Sequence, residues 1–273
     1  MNDDLGDRMK AYEAVETDRT FDAALPLVVR LDGRAFSTFT RGMRKPFDGR
    51  FSDVMEAVTA HLVEKNHARV GYTQSDEITL IFDLENEDSQ PIFGGRLFKI
   101  TSVLASMAAA KFALHASAEW PERVARIAPS FDCRAFSVPS RVEAVNVLVW
   151  RELDASRNAV QAVAQSRFSP KQMHGKSCAE LILMLGDIGI VMEDYPIAHR
   201  LGRYLGRRTV EMELGADELA RIPEQHRPTG PVLRSRVVDL ELAPLVAKPD
   251  RVEIIFSDND LSRAQPGQDE TPK

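Results

Sequence analysis

The chain has 273 residues, 35 basic against 41 acidic side chains, a formal net charge of −6 and 44% hydrophobic residues. That length and apolar content suit one large or two smaller globular domains and exclude a disulfide-stapled miniprotein or a disordered tail. No run approaches the ~18 consecutive apolar residues of a membrane span, and the N-terminal segment is too acidic and too broken for a signal or transit peptide, so the default compartment is cytoplasmic. Cys133 and Cys178 have no partners at zinc spacing and indicate neither a disulfide framework nor a structural zinc. An acidic total argues against a protein that coats nucleic acid indiscriminately, while permitting a local basic surface.

Residues 4–18 read as a polar amphipathic helix, and LPLVVRL at 25–31 as a buried strand ending at Asp32-Gly33. Phe51, Val54, Met55, Val58 and Leu62 recur at helical spacing and predict a helix over 51–66. Two short strands follow, 70–73 and 78–82, joined by the polar tip Gln74-Ser75-Asp76-Glu77. Gly94-Gly95 then opens a long helix that stops near Trp120-Pro121. FDCRAFSV at 131–138 alternates as a strand. Ser140 with Glu143 caps a second long helix, and Ser169 with Gln172 and Ser177 with Glu180 repeat that capping logic for two shorter ones. Further strands are expected at 237–242 and 252–256.

The order β-α-β-β-α-β is ferredoxin-like: an α+β antiparallel sheet with helices on one face, the architecture of the polymerase palm, here with additional C-terminal helices and strands. The expected division is a palm-like core over 1–140, a helical and strand extension over 141–261, and a frayed tail over 262–273.

In such a sheet the first strand lies beside the later hairpin, so Asp32 at one strand end and Asp76 at the hairpin tip approach each other. Paired carboxylates repel, and Mg²⁺ is the usual remedy, with the carbonyl of Gly33 as a further hard ligand. Arg96 and Lys99 share a face at the start of the helix after Gly94-Gly95, where free amides and the helix dipole favour a phosphate. Lys45, before Pro46, is a third cation on a loop able to fold over the same site.

LVVRLDGRAFSTFT, KPFDGRFSDVM, GYTQSDEITLIF, GRLFKITSVLAS, FDCRAFSVPS and VWRELDAS occur in the order and spacing of the tRNA-His guanylyltransferase family. The chain resembles most its bacterial and archaeal Thg1-like branch, over residues 4–185. The resemblance implies a nucleotidyltransferase that adds nucleotides to tRNA 5′ ends in the 3′-to-5′ direction, after ATP or GTP activates the 5′-monophosphate. It further implies two Mg²⁺ ions held by Asp32, Asp76 and the Gly33 carbonyl, with Glu77 as an acidic catalytic neighbour. Lys45, Ser75, Arg96 and Lys99 would contact nucleoside triphosphates, and a homotetramer would engage tRNA. Where eukaryotic members carry His-Ile-Asn-Asn, this chain has Ser156-Arg157-Asn158-Ala159. That departure favours template-dependent tRNA repair over G addition to tRNA-His, with Asp154 and Asn158 as residues that could line the site.

The stretch 199–208 supplies four arginines, and Arg203, Arg207 and Arg208, with Tyr204 available for stacking, form the expected tRNA-binding surface. Two other readings fit the same letters: a palm-fold nucleotidyl cyclase using the two aspartates on a triphosphate alone, and a non-catalytic RNA-binding module.

Overall fold

A computed structural model describes residues 4–83 and 90–256; the expected tail lies outside the described residues. In chain order the elements are α1 (Asp4–Thr17), β1 (Leu27–Gly33), α2 (Phe36–Phe39), α3 (Gly49–Asn66), β2 (Val70–Gln74), β3 (Glu77–Phe82), α4 (Leu97–Glu119), α5 (Pro121–Arg126), β4 (Phe131–Ser137), α6 (Arg141–Gln165), α7 (Pro170–Met173), α8 (Cys178–Asp187), α9 (Ile197–Leu201), β5 (Arg203–Met212), α10 (Ala216–Ala220), β6 (Val232–Asp239) and α11 (Arg251–Phe256). The strands form one antiparallel sheet in the order β4-β1-β3-β2-β5-β6.

Both faces of the sheet are covered, and strand alternation assigns the residues to each. Leu27, Val29, Leu31, Ile78 and Leu80 point to one side, where α3 and α4 bury Met55, Val58, Leu62, Leu104 and Phe112. Val28, Val70, Tyr72, Ile81 and Tyr204 point to the other, where α6 contributes Ala144, Val145 and Leu148 and α11 contributes Ile255 and Phe256. The C-terminal extension therefore closes the second face of the ferredoxin-like core, and β5 and β6 widen its sheet. The 25 residues of α6 make a rod of about 37 Å, longer than the sheet is deep. Its last turns build a satellite core with Leu181 and Leu185 of α8.

The caps at Ser169 and Ser177 form as the spacing predicts, each with reciprocal bonds. At Ser140 only half forms: its side chain accepts from the Glu143 amide at 3.2 Å, while the Glu143 carboxylate turns to Asn146 at 3.0 Å. The strand expected at 237–242 lies earlier, as β6. The strand expected at 252–256 is instead the helix α11. A five-residue apolar run has no period to distinguish the two, and this one packs against α6 over the face of the sheet.

Candidate active site

β1 ends at Asp32-Gly33 because a tight connection to α2 follows, with Ala35 at φ 59. A Cβ on Gly33 would sit 2.5 Å from the ring of Phe36. That ring is itself clamped by Phe112 at 4.9 Å and Phe131 at 5.0 Å between centroids. The chain can approach this closely only with glycine at 33. The amide of Gly33 donates to the carbonyl of Asp76 at 3.1 Å and ties the β2–β3 turn to the end of β1. Asp32 and Asp76 thus meet as the hairpin topology predicts.

Asp32 is in register with Glu77 on β3 and with Asp132 on β4, so three carboxylates occupy one rung on the α6 side of the sheet. Facing residues of adjacent strands are about 4.5–5.5 Å apart at Cα. Burial pushes the Asp32 carboxyl up from its ordinary range, and repulsion from Asp76, Glu77 and Asp132 adds to this, against partial relief from Arg134. Burial likewise raises Asp76, which the Ser75 hydroxyl, donating at 3.0 Å, partly offsets. Neither Asp32 nor Asp76 forms an ion pair among the described residues.

Two destabilised carboxylates beside a glycine carbonyl are a hard-oxygen donor set that suits Mg²⁺. Among the described residues no group of three or more His, Cys, Asp or Glu is placed as a metal cage. Mg²⁺ asks for none, because it takes one or two carboxylates and completes its shell with water and substrate phosphate.

Glu77 is engaged in ion pairs. Its carboxylate accepts from Nη2 of Arg151 at 2.6 Å and lies 3.5 Å from Arg30. Arg151 also donates to Asp154 at 2.7 Å, and Arg157 donates to the other oxygen of Asp154 at 2.6 Å. Arg30 and Arg151 both lie over the Trp150 ring, at 4.8 and 4.7 Å. Glu77 and Asp154 are therefore neutralised links in a chain joining the hairpin to α6. Burial pushes Asp154 up, but the two arginines outweigh it and hold its carboxyl below the usual range.

Asp32 lines a small cavity with Glu77, Asp132 and Arg134. At Ser75, the residue before Asp76, opens a separate, larger one of about 250 Å³, lined also by Lys45, Phe47, Asp48, Asn158 and His199. The small side chains of Ala155, Ala159 and Ala162 on α6 leave the space. The His199 ring stacks on Phe47, 5.0 Å apart and 8° from parallel. Burial holds the imidazole below its ordinary pKa, with Asp53 opposing. Lys45, Ser75 and Asn158 thus come together as expected.

Arg96 and Lys99 do not join them within one chain. α4 starts where Arg96 bridges Thr20 and Leu97 donates to the Arg19 carbonyl. The preceding Phe93 borders the same cavity as Lys65 at the end of α3 and Phe82 at the end of β3. From Glu77 to Phe82 β3 travels about 17 Å away from the turn before that helix begins.

Of the expected tRNA contacts, Arg203 is ion-paired with Glu56, and Arg207 donates to the Glu64 carbonyl at 2.6 Å. Tyr204 is buried and donates to Glu152 at 2.9 Å, so it offers no stacking surface. Only Arg208 lies on the other side of β5. Sequence reading missed Arg30, Arg151, Asp132, Arg134, Phe47 and His199. For Asp132 and Arg134 the signal was available: in an alternating strand both point away from the apolar face, at the level of Asp32 and Arg30.

The family model for tRNAHis guanylyltransferase matches residues 6–139. An uncharacterized protein of Acanthamoeba polyphaga mimivirus is 33% identical over 235 residues, 78% of this chain and 80% of that one. The tRNA(His) guanylyltransferase of Neurospora crassa is 31% identical over 159 residues, 54% of this chain and only 52% of the fungal enzyme. A bacterial tRNA(His) guanylyltransferase (Thg1)-like protein, solved with ATP, superposes with a TM-score of 0.76 at 27% identity, covering 92% of this chain and 99% of its own. The same description applies to a structure with GTP, at a TM-score of 0.69, covering 93% and 100%. With a sheet, a hairpin and a carboxylate pair of the kind the motifs imply, the chain belongs to the tRNA(His) guanylyltransferase family of nucleotidyltransferases.

Proposed function

We propose that this chain extends tRNA at the 5′ end in the 3′-to-5′ direction, using ATP or GTP to activate a 5′-monophosphate. The observation that carries the reading is the juxtaposition of Asp32 and Asp76, neither ion-paired among the described residues, with a cavity holding Lys45, Ser75 and a flat aromatic pair. The bacterial relative solved with ATP and with GTP supports nucleotide occupancy of such a site.

In the first step an oxygen of the RNA 5′-phosphate attacks the α-phosphorus of ATP, and the bond to the β-phosphate breaks, releasing pyrophosphate. In the second, the 3′-hydroxyl of an incoming nucleoside triphosphate attacks the activated 5′-phosphorus, expelling AMP and giving up its proton. Lys45 and Ser75 orient the triphosphate, and the Phe47–His199 pair stacks on the base. Asp32, Asp76 and the Gly33 carbonyl would hold two Mg²⁺ ions, which when bound supply charge neutralisation at the transferring phosphate.

Ser156 stands at the family's histidine position, which supports templated repair of truncated 5′ ends over obligatory G addition. α1 exposes Leu5, Met9, Tyr12 and Val15 at helical spacing, and α4 exposes Phe98 and Leu114. These apolar faces support assembly into a homotetramer. The test incubates the protein with Mg²⁺, ATP, all four nucleoside triphosphates and 5′-monophosphorylated tRNA, intact or lacking its first nucleotide. Extension of the truncated RNA alone supports repair; extension of neither, with nucleotide bound, overturns the reading.

A further inference from the structure

Trp150 of α6 remains 47% exposed although two guanidiniums are fixed against it. The Cζ atoms of Arg30 and Arg151 lie 4.8 and 4.7 Å from its ring centroid, and both groups reach the same oxygen of Glu77, at 3.5 and 2.6 Å. Cations that share one carboxylate oxygen stand too close together to sandwich the indole between them. The ring is therefore braced by the two arginines and open to solvent elsewhere. A tryptophan is highly buried on average; this one is a firmly held, half-open aromatic plate.

Strand register sets its position relative to the site. Arg30 precedes Asp32 by two residues on β1, about 7 Å along the strand and on the same face, and it faces Arg134 on β4 as Asp32 faces Asp132. These four residues line the cavity of about 140 Å³ at Asp32, which shares no lining residue with the cavity of Lys45, Ser75, Phe47 and His199. β4 is the terminal strand of the sheet, and Asp132, Arg134 and Phe136 on its α6 side are exposed. This flank of the carboxylates is open to a large molecule.

We infer that Trp150 is the stacking platform for the terminal base of the RNA 5′ end. The proposed reaction joins two partners at Asp32 and Asp76. The nucleoside triphosphate has its cavity on the β2 side, and the RNA comes over the β4 edge, with its terminal phosphate at Asp32 and its first base against the indole. Arg30 and Arg134 supply positive charge along that path. Every base has a π-face, so stacking holds the end without reading its sequence, which suits repair of ends that differ in their first base. This inference rests on the proposed tRNA substrate and names the residue that receives its terminus.

The test uses the full chain in three variants: Trp150→Leu, which keeps an apolar side chain without a π-face, Trp150→Phe, which keeps the face, and Trp120→Phe, which leaves Trp150 as the remaining one of the two tryptophans. Each is given 5′-monophosphorylated tRNA lacking its first nucleotide, with the new terminal base either present or replaced by an abasic sugar. The native chain is expected to bind the abasic RNA about tenfold more weakly than the intact one. Trp150→Leu binds both alike, at the native chain's abasic affinity, and Trp150→Phe restores most of the difference. KM for the intact RNA rises by the same factor in Trp150→Leu, while KM for ATP stays within about twofold. In Trp120→Phe, intact RNA quenches the indole fluorescence, and neither abasic RNA nor ATP does so. Native-like discrimination between the two RNAs in Trp150→Leu overturns the inference, as does a native chain that binds both alike. A rise in KM for ATP, or quenching by ATP alone, puts a triphosphate's base on the indole and also overturns it. If Trp150→Leu melts below the assay temperature, the native comparison and the fluorescence decide. Quenching by intact RNA without 5′ extension leaves the platform standing and removes the polymerase reading. Extension with a silent Trp150 does the reverse, and a native chain that binds no RNA removes both.

Discussion

Arg151 is nearly buried, with its side chain 5% exposed, and it joins Glu77 at the β2–β3 hairpin to Asp154 on its own helix. Arg151→Met keeps the volume of the stem but leaves two carboxylates without that partner. Breaking a buried ion pair costs about 3–5 kcal/mol when the orphaned charge stays buried. Here Glu77 and Asp154 retain 20% and 27% exposure, Arg30 still faces Glu77, and Arg157 still holds Asp154, so a loss of about 2–3 kcal/mol is expected. In a domain of this size that lowers Tm by roughly 5–10 °C. The freed Glu77 charge also falls on the Asp32 rung. At ~5 Å and an effective dielectric near 20, one further unit charge contributes about 3 kcal/mol of repulsion before solvent relaxes it. The assay is urea unfolding of native, Arg151→Met, Glu77→Gln and the double variant, with Mg²⁺-dependent extension alongside. Glu77→Gln should recover part of the loss when Arg151 is already gone, giving a coupling of about 1 kcal/mol or more. Additivity within about 0.5 kcal/mol, or an Arg151→Met variant as stable as the native chain, would refute the idea that this pair positions the hairpin.

Asp32→Asn and Asp76→Asn should each abolish nucleotidyl transfer, yet raise Tm without divalent metal, because each removes one of two repelling half-buried carboxylates; the Mg²⁺-induced Tm shift should vanish with them. Gly33→Ala should cost about 1–3 kcal/mol, since its new methyl meets the Phe36 ring at 2.5 Å, and activity should fall with it; full activity at native Tm would contradict the close approach. Tyr204→Phe takes one donor from the buried Glu152 carboxylate, which among the described residues then keeps the Leu245 amide at 2.9 Å and the Val246 amide at 3.3 Å, and urea unfolding should register about 1.5–3 kcal/mol. The Glu180 carboxyl is held down to about 2 by the Ser177 amide, Lys176 and the Ser177 hydroxyl. Its folded value lies below the unfolded one, so its contribution is present above the ordinary carboxylate pKa and is lost as pH falls toward 2. An acid titration of Tm should therefore be shallower in Glu180→Gln over that window.

Local pattern carried the elements. The three-four spacing of Phe51, Val54, Met55, Val58 and Leu62, the polar tip at 74–77 and the serine caps at 169 and 177 are instructions between near neighbours, and the structure follows them. Where the letters held no period, as in 252–256, the local reading failed and a helix stands in place of a strand.

The sequence by itself determined the ferredoxin-like order, the meeting of Asp32 with Asp76, and the family, because a hairpin beside a first strand admits few arrangements and the motifs are specific. Only the tertiary structure decided where each charge is placed and which element it faces. Arg203, Arg207 and Arg208 look alike in a string, but β5 turns the first two toward α3 and the third away from it. Arg96 and Lys99 follow the carboxylates closely in the chain, yet β3 carries them to the far end of the sheet. Glu77 sits beside Asp76 in sequence, and Arg151, more than seventy residues away, takes its charge. Strand alternation and element length set direction and distance in space, and neither is written in the order of residues until the partners of each strand are known.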